Sequence, residues 1–261
     1  MRLSVDGHEI FAATGGRPFD PALPAIVFLH GAGFDHSIWA LPARWFAHHG
    51  HAVLAPDLPG HGRSAGKPFT TIAEMADWTA RLIEAAGASR ARLVGHSMGA
   101  LIALEAASRH ADKVTQITLI AAGASMKVSP DLLAAAEANN HDAIDMVSIW
   151  GHGFRAALGG SQAPGLWMLG GGERVLEATG PGVLFGDLAA CNAYTRALEA
   201  AASLTIPATL ILGERDMMTP LKVGILLADA IAGAHRVVLR GAGHMLTAER
   251  PDEVLAALIG A

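Results

Sequence analysis

The sequence predicts an α/β fold: a mostly parallel sheet flanked by helices, with a helical cap insertion. Three observations predict it. Short continuous apolar runs, such as "AIVFLHG" from Ala25 and "ATLILGERD" from Ala208, alternate with amphipathic runs of helical length. A strand covered on both faces has no polar face to show, so it reads as an unbroken apolar run, and the helices between such strands return the chain to run parallel. The rhythm stops between about 125 and 205, where no buried strand occurs. The 261-residue chain therefore divides into core residues 1–124, a helical cap over 125–205, and core residues 206–261.

The elements follow in order. "LSVDGHEIFAAT" reads as a hairpin turning at Asp6-Gly7, a pair suited to the tight turns of hairpins. "AIVFLHG" is a buried strand. "SIWALPARWFAHHG" is a helix stopped by Gly50, and Pro42 inside it leaves its start open. "HAVLAPDLPGHGRS" is a second buried strand followed by a Gly/Pro loop. "TTIAEMADWTARLIEAAG" is a helix with capping-box spacing between Thr71 and Glu74, stopped by Gly87. "ARLVGH" is a strand, "MGALIALEAASRH" a helix and "VTQITLIAA" a strand. In the insertion, "PDLLAAAEANNHDAIDMVSIW" is helical and "GHGFRAALGGSQAPGLWMLGGGE" is rich in glycine. Glycine lowers the cost of alternative backbone states, so residues 151–186 are expected to be more mobile than the sheet and to close over substrate. "ATLILGERD" returns to strand, "TPLKVGILLADAIAG" to helix, "HRVVLRGAGH" to strand and "PDEVLAALIGA" to a closing helix.

Composition narrows the function classes. Lys and Arg number 19 against 24 Asp and Glu, for a net charge of −5, and no basic run stands out. That argues against nucleic acid as a partner. No apolar stretch has the length of a signal-peptide core at the N-terminus, where Asp6 and Glu9 interrupt, and none has the length of a membrane span. The one cysteine, Cys191, excludes an internal disulfide framework and reads as a packed side chain in a reducing compartment. The expectation is a soluble cytoplasmic protein with no membrane partner.

In "RLVGHSMGALIALEAA" the strand ends near His96 and the helix begins at Met98, so Ser97 sits on the turn between them. A strand-to-helix turn this tight strains the serine and brings chain segments close, and Gly95 and Gly99 remove the side chains that would clash. The serine hydroxyl then stands at the carboxyl edge of the sheet, at the N–H end of a helix. A serine hydroxyl needs a base near neutral pH, and the base needs an orienting acid. Thirteen histidines are too many to choose among by type. Position selects His244, which follows the last strand in "LRGAGHM", and Asp216, which follows the preceding strand in "LILGERDMMTP". The chain order Ser97, Asp216, His244 is the one expected for this elbow.

The motifs "FLHGAGF", "PDLPGHGRS", "GHSMG", "GERD" and "GAGHM" together resemble the α/β-hydrolase superfamily, in particular its capped serine hydrolases. The resemblance covers nearly the whole chain and implies an α/β-hydrolase fold. It implies Ser97 as nucleophile, His244 as general base and acid, and Asp216 as its partner. It places the oxyanion hole at the N–H groups of Met98 and Ala32, with Gly33 as the alternative to Ala32. Gly33, Phe34, Trp150 and Met245 are expected beside the substrate. Of the cap side chains Met146, Trp150, Phe154, Trp167 and Met168, helical spacing assigns most to packing rather than to an acyl pocket. Asp57 in "PDLPGHG" is expected to brace its loop, His30 to brace the oxyanion loop, His96 to pack under the elbow and His61 to serve in a turn. Glu214, two residues before Asp216, is a decoy for the acid. Arg155, Arg174 and Arg196 are read as a solvated face. The activity implied is hydrolysis of a small or medium apolar carboxylic ester through an acyl-enzyme, with no cofactor and no metal. The same triad serves enol-lactonases, C–C bond hydrolases, thioesterases and cofactor-free perhydrolases in similar families. A ligand-binding protein without turnover is the reading from another class.

Overall fold

The structure is a computed structural model that describes residues 1–160 and 167–261. Its chain begins with a hairpin. β1 (Arg2–Val5) and β2 (His8–Ala13) pair antiparallel, with Arg2 opposite Phe11 and Val5 opposite His8. Asp6 and Gly7 both take positive φ, 52° and 78°, as in the turn whose twist matches its strands. Six strands join them: β3 (Ala25–Leu29), β4 (Ala52–Pro56), β5 (Ala91–His96), β6 (Val114–Ile120), β7 (Ala208–Gly213) and β8 (His235–Leu239). They form one eight-stranded sheet in the order β1-β2-β4-β3-β5-β6-β7-β8, parallel from β4 to β8. β3, β4 and β7 are buried at every position, as their unbroken apolar sequences require. β8, at one edge of the sheet, is mostly exposed.

The order reverses at β3, which lies between β4 on one side and β5 on the other. The carboxyl ends of β3 and β5 therefore form the crevice where parallel sheets bind ligands. The loop 30–34 leaves β3 there, and Ser97 leaves β5 there.

Helices cover both faces: α1 (Ala40–His48), α2 (Ile72–Ala85), α3 (Met98–Arg109), α4 (Pro130–Glu137), α5 (Asp142–Gly151), α6 (Phe154–Ala157), α7 (Met168–Glu177), α8 (Val183–Ala193), α9 (Ala197–Ser203), α10 (Leu221–Asp229), α11 (Leu246–Glu249) and α12 (Pro251–Ile259). Side chains alternate across a strand, so neighbouring residues of β5 enter different cores. Leu93 joins Trp78 and Leu82 of α2, Leu101 of α3 and Leu227 of α10. Val94 joins Phe46 of α1 and Val254 and Leu258 of α12. The capping box forms: the Thr71 hydroxyl accepts from the Glu74 N–H at 3.2 Å and donates to the Glu74 carboxylate at 2.9 Å. Pro42 lies in the first turn of α1, after a 3-10 turn over His36–Trp39, where its missing N–H takes no helical bond away.

The segment 125–205 holds α4 to α9. Phe34, Leu132, Val147, Leu176, Leu188 and Met245 form a third, smaller core that joins α4, α5, α7 and α8 to two loops at the sheet's carboxyl end. α9 packs on α3 and places Ala197, Ala200 and Ala201 inside the main core. Its alanines let the two helices approach closely, and this assigns α9 to the layer that flanks the sheet. Of the glycine-rich stretch 151–186, residues 161–166 lie outside the described residues. Among the described residues, no helix is long and apolar enough to cross a membrane.

Candidate active site

β5 ends at His96, α3 begins at Met98, and Ser97 between them takes φ 55° and ψ −115°. That region carries strain of about 1–3 kcal/mol for a residue with a side chain. The turn is closed from both sides. The Ser97 N–H donates to the Ile120 carbonyl at 2.9 Å, and its carbonyl accepts from Ala100 at 2.9 Å. Gly95 and Gly99 are required by space: a Cβ on Gly95 would lie 2.0 Å from the Gly99 oxygen, and one on Gly99 would lie 2.1 Å from the Leu29 oxygen. Those neighbours are backbone and cannot swing aside. Gly99→Ala is therefore expected to destabilise the protein by at least about 1–3 kcal/mol, read as a lower urea midpoint at unchanged slope. A midpoint equal to wild type would refute the closeness of this packing.

Asp216 and His244 leave the neighbouring strands β7 and β8 and meet. Both are buried. His244 Nδ1–H donates to Asp216 Oδ2 at 2.8 Å, which leaves Nε2 as the basic nitrogen. The Asp216 carboxylate also accepts the Thr219 hydroxyl at 2.6 Å on Oδ2, and the N–H groups of Met218 and Thr219 at 2.9 and 2.7 Å on Oδ1. Burial works to raise its pKa, but His244 and the Thr219 hydrogen bonds outweigh burial and hold it below the usual carboxylate value. The His244 loop is fastened at its base. His96 lies beneath, its ring 5.1 Å from that of His244, and its Nε2–H donates to the His244 carbonyl at 2.9 Å. Burial pushes the His96 pKa down to about 3, so it stays neutral. The N–H groups of His244 and Met245 both donate to the Gly151 carbonyl at the end of α5. The buried Glu249 carboxylate accepts from Gly243 and Gly153.

The loop after β3 is held by His30. Its Nδ1–H donates to the Gly31 carbonyl at 2.9 Å and its Nε2 accepts from the Leu58 N–H at 3.1 Å, an arrangement that only the neutral ring satisfies. Burial pushes its pKa down to about 4, in agreement. The N–H groups of Ala32 and Met98 have no hydrogen-bond partner among the described residues. The Gly33 N–H donates to Asp187 Oδ2 at 2.8 Å. That bond takes the N–H that an alternative oxyanion donor would need, and Gly33 is not among the residues that line the cavity beside Ser97.

Ser97 and His244 open into one cavity of about 470 Å³. Its wall is mostly apolar: Ala32, Phe34, Met126, Val128, Leu132, Val147, Trp150, Leu184, Leu188, Met217, Met218 and Met245, with Lys127, Ser129 and Thr219 as polar exceptions. Phe34, Trp150 and Met245 line the same cavity as the serine. Phe154 and Trp167 are exposed, and Met168 is buried in a separate groove lined with Trp167 and His152. Cys191 is buried at the cavity wall, and burial raises its thiol pKa far out of the reactive range.

Asp57 braces its loop, accepting from the His36 N–H and ring at 2.8 and 2.7 Å and from the Arg63 N–H at 2.8 Å. Glu214 accepts from the Gly241 N–H and stays outside the His244 pair. Two participants escaped the sequence reading. Thr219, three residues after Asp216 in "DMMT", has the spacing of a side-chain-bonded turn and was legible in principle. Asp187 has no local signal, since its partners Gly33 and His61 are 154 and 126 residues away.

Residues 26–257 match the model of the alpha/beta hydrolase family. The chain belongs to that family. Among curated relatives it is 31% identical over 245 residues to pimeloyl-[acyl-carrier protein] methyl ester esterase of Neisseria meningitidis serogroup B, an alignment covering 85% of this chain and 86% of that one. Among solved structures this family member resembles the enol-lactonase from Burkholderia xenovorans LB400, with a TM-score of 0.87 and 26% identity over 100% of this chain and 98% of that one. It also resembles Est816, described as an N-acyl homoserine lactone degrading enzyme, with a TM-score of 0.83 and 25% identity over 100% and 99% of the two chains.

Proposed function

We propose that the protein is a serine hydrolase that cleaves a small or medium carboxylic ester with an apolar acyl part. The observation that carries this reading is Ser97 at positive φ on the elbow, opening into an apolar cavity that it shares with a histidine oriented by a buried carboxylate. His244 Nε2 takes the Ser97 proton as the hydroxyl oxygen attacks the ester carbon. The carbonyl oxygen gains negative charge and is met by the N–H groups of Met98 and Ala32. His244 returns the proton to the leaving alkoxide, and the alcohol departs from an acyl-enzyme. Water then attacks the acyl carbon, giving its proton to His244, and His244 passes that proton to the Ser97 oxygen as the bond to the acyl carbon breaks and the carboxylic acid leaves. Asp216 stays ionised throughout and steadies the imidazolium. A cavity of about 470 Å³ is in the range of small-ligand sites.

A lactone is the second substrate class, favoured by the likeness to the two lactone-acting structures. The chemistry differs in one respect: the alcohol stays tethered to the acyl group and must be held away from the acyl-enzyme until water enters.

The test is a panel of p-nitrophenyl esters of rising acyl length, lactones and thioesters, with fluorophosphonate labelling of Ser97. Turnover of a short or medium ester, together with stoichiometric labelling, is the expected result. No turnover of any ester or lactone and no label on Ser97 would sink the reading and favour a ligand-binding role.

A further inference from the structure

Outside the cavity wall lies a buried charge pair that the reaction just described does not use. His61, in the loop after β4, and Asp187, on α8, are both almost inaccessible to solvent. The His61 ring faces two acceptors: Nδ1 lies 3.1 Å from the Pro59 carbonyl and Nε2 lies 2.8 Å from Asp187 Oδ2. A neutral imidazole has one N–H and can satisfy one of them, so the geometry requires the imidazolium. Burial opposes that charge, and the Asp187 carboxylate outweighs it, so the His61 pKa is raised. The neighbouring ring, His30 at 4.9 Å, is neutral.

A buried ion pair is a weak source of stability, because desolvation offsets most of its attraction. What this pair does hold is the oxyanion loop. The oxygen of Asp187 that meets His61 also accepts the Gly33 N–H at 2.8 Å. The Gly33 carbonyl accepts from the Thr179 hydroxyl at 2.6 Å. Both polar groups of Gly33 are therefore gripped from the insertion, with Gly33 at φ 71°. A Cβ there would lie 2.9 Å from both Leu176 and Leu184. Gly33 directly follows Ala32, so the peptide whose N–H faces the developing charge is anchored one residue away.

We propose that Asp187 is a positioning residue for ester cleavage. Paired with His61, it fixes Gly33 and thereby aims the Ala32 N–H at the oxyanion. The inference rests on the serine-hydrolase reading and adds that the insertion, not the sheet alone, completes the oxyanion site.

The experiment compares wild type, Asp187→Ala and Asp187→Asn on the best p-nitrophenyl ester, with affinity for a matched aryl trifluoromethyl ketone as a second readout. That ketone adds to the Ser97 hydroxyl and places an oxyanion in the hole, whereas KM reports mostly on the acyl cavity. Loss of one oxyanion donor lowers kcat by about 10²- to 10³-fold, so loss of its anchor is expected to lower kcat by about 10- to 100-fold in Asp187→Ala. KM should change by less than about threefold, and ketone affinity should fall in parallel with kcat/KM. Asp187→Asn keeps an oxygen for the Gly33 N–H and should recover most of kcat; if Asp187→Ala does not fold, Asp187→Ser, whose side chain is too short to hold the Gly33 N–H, takes its place with the same expected loss. Wild-type kcat in Asp187→Ala, with or without a lower melting temperature, would make Asp187 merely structural. A raised KM at unchanged kcat would make it a substrate contact. An Asp187→Asn enzyme that shows no recovery over a folded Asp187→Ala, or that itself loses ten- to a hundredfold in kcat, would move the effect from the Gly33 bond to the charge. Each of these overturns the proposal. Failure of the serine-hydrolase reading would show instead in the wild-type protein, as no ester turnover and no ketone binding.

Discussion

Ser97→Ala is expected to lower ester kcat by roughly 10⁴- to 10⁶-fold while leaving the fold in place. The loss is large because the other nucleophile types on the cavity wall have no paired base among the described residues: Cys191 is buried with a strongly raised pKa, Thr219 is bound to Asp216, and Ser129 stands at the start of α4 with no histidine bonded to it. The fold should survive because the substitution removes one oxygen from a half-buried side chain. The close contacts of the elbow are made by the backbone of Gly95, Gly99 and Leu29, which the substitution does not touch. Steady-state kinetics on the best ester of the panel, with urea unfolding of both proteins, gives both quantities. A variant that keeps a tenth of wild-type turnover would remove the serine mechanism.

The second large effect separates two buried aspartates. Asp216→Asn should lower kcat by about 10⁴-fold, the size seen when a triad carboxylate is replaced by an amide. An Asn amide can turn its NH₂ toward His244 Nδ1, and the histidine then keeps its proton on Nε2, where it cannot accept one from Ser97. Asp57→Asn should leave kcat within about tenfold of wild type and act on stability instead, because Asp57 ties His36 and Arg63 and touches no triad member. Comparison at equal folded protein, judged by circular dichroism, is the measurement. The reverse ranking would show that the acid is misassigned.

Much of the site was legible because its signals are local. Gly95, Ser97 and Gly99 declare the elbow within five residues. Asp216 and His244 declare themselves by standing after the last two strands, where parallel sheets gather their ligands. The difference between Asp57 and Asp216 was also visible, since Asp57 belongs to a Gly/Pro loop with its own donors close by. Gly33 was harder. The sequence shows a glycine beside the oxyanion loop but not which way its N–H points, and Asp187 takes it from 154 residues away.

The insertion shows where local signals stop. "MLGGGERVLE" lies in the glycine-rich stretch, where each glycine costs about 1 kcal/mol in a helix interior. It folds as α7. Burial of Met168 and Leu176 opposes that cost. A Cβ on Gly170 would overlap the Trp167 ring, so this glycine is there for contact and not for freedom. α9 looked like a continuation of the cap because it follows α8 in the chain. It joins the main core because its alanine face fits against α3.

The sequence by itself determined the strand and helix order, the parallel sheet, the elbow and the chain order of the candidate triad. Each of these depends on residues within a few positions of one another, or on the alternation of apolar runs. Only the tertiary structure decided which glycine N–H is occupied, which helices belong to the sheet, and which buried charge grips the oxyanion loop. Those depend on contacts between residues far apart in the chain, 95 positions between Ser108 of α3 and Ser203 of α9 and 154 between Gly33 and Asp187. Such contacts form only once the hydrophobic cores have packed, and nothing in the local sequence marks them beforehand.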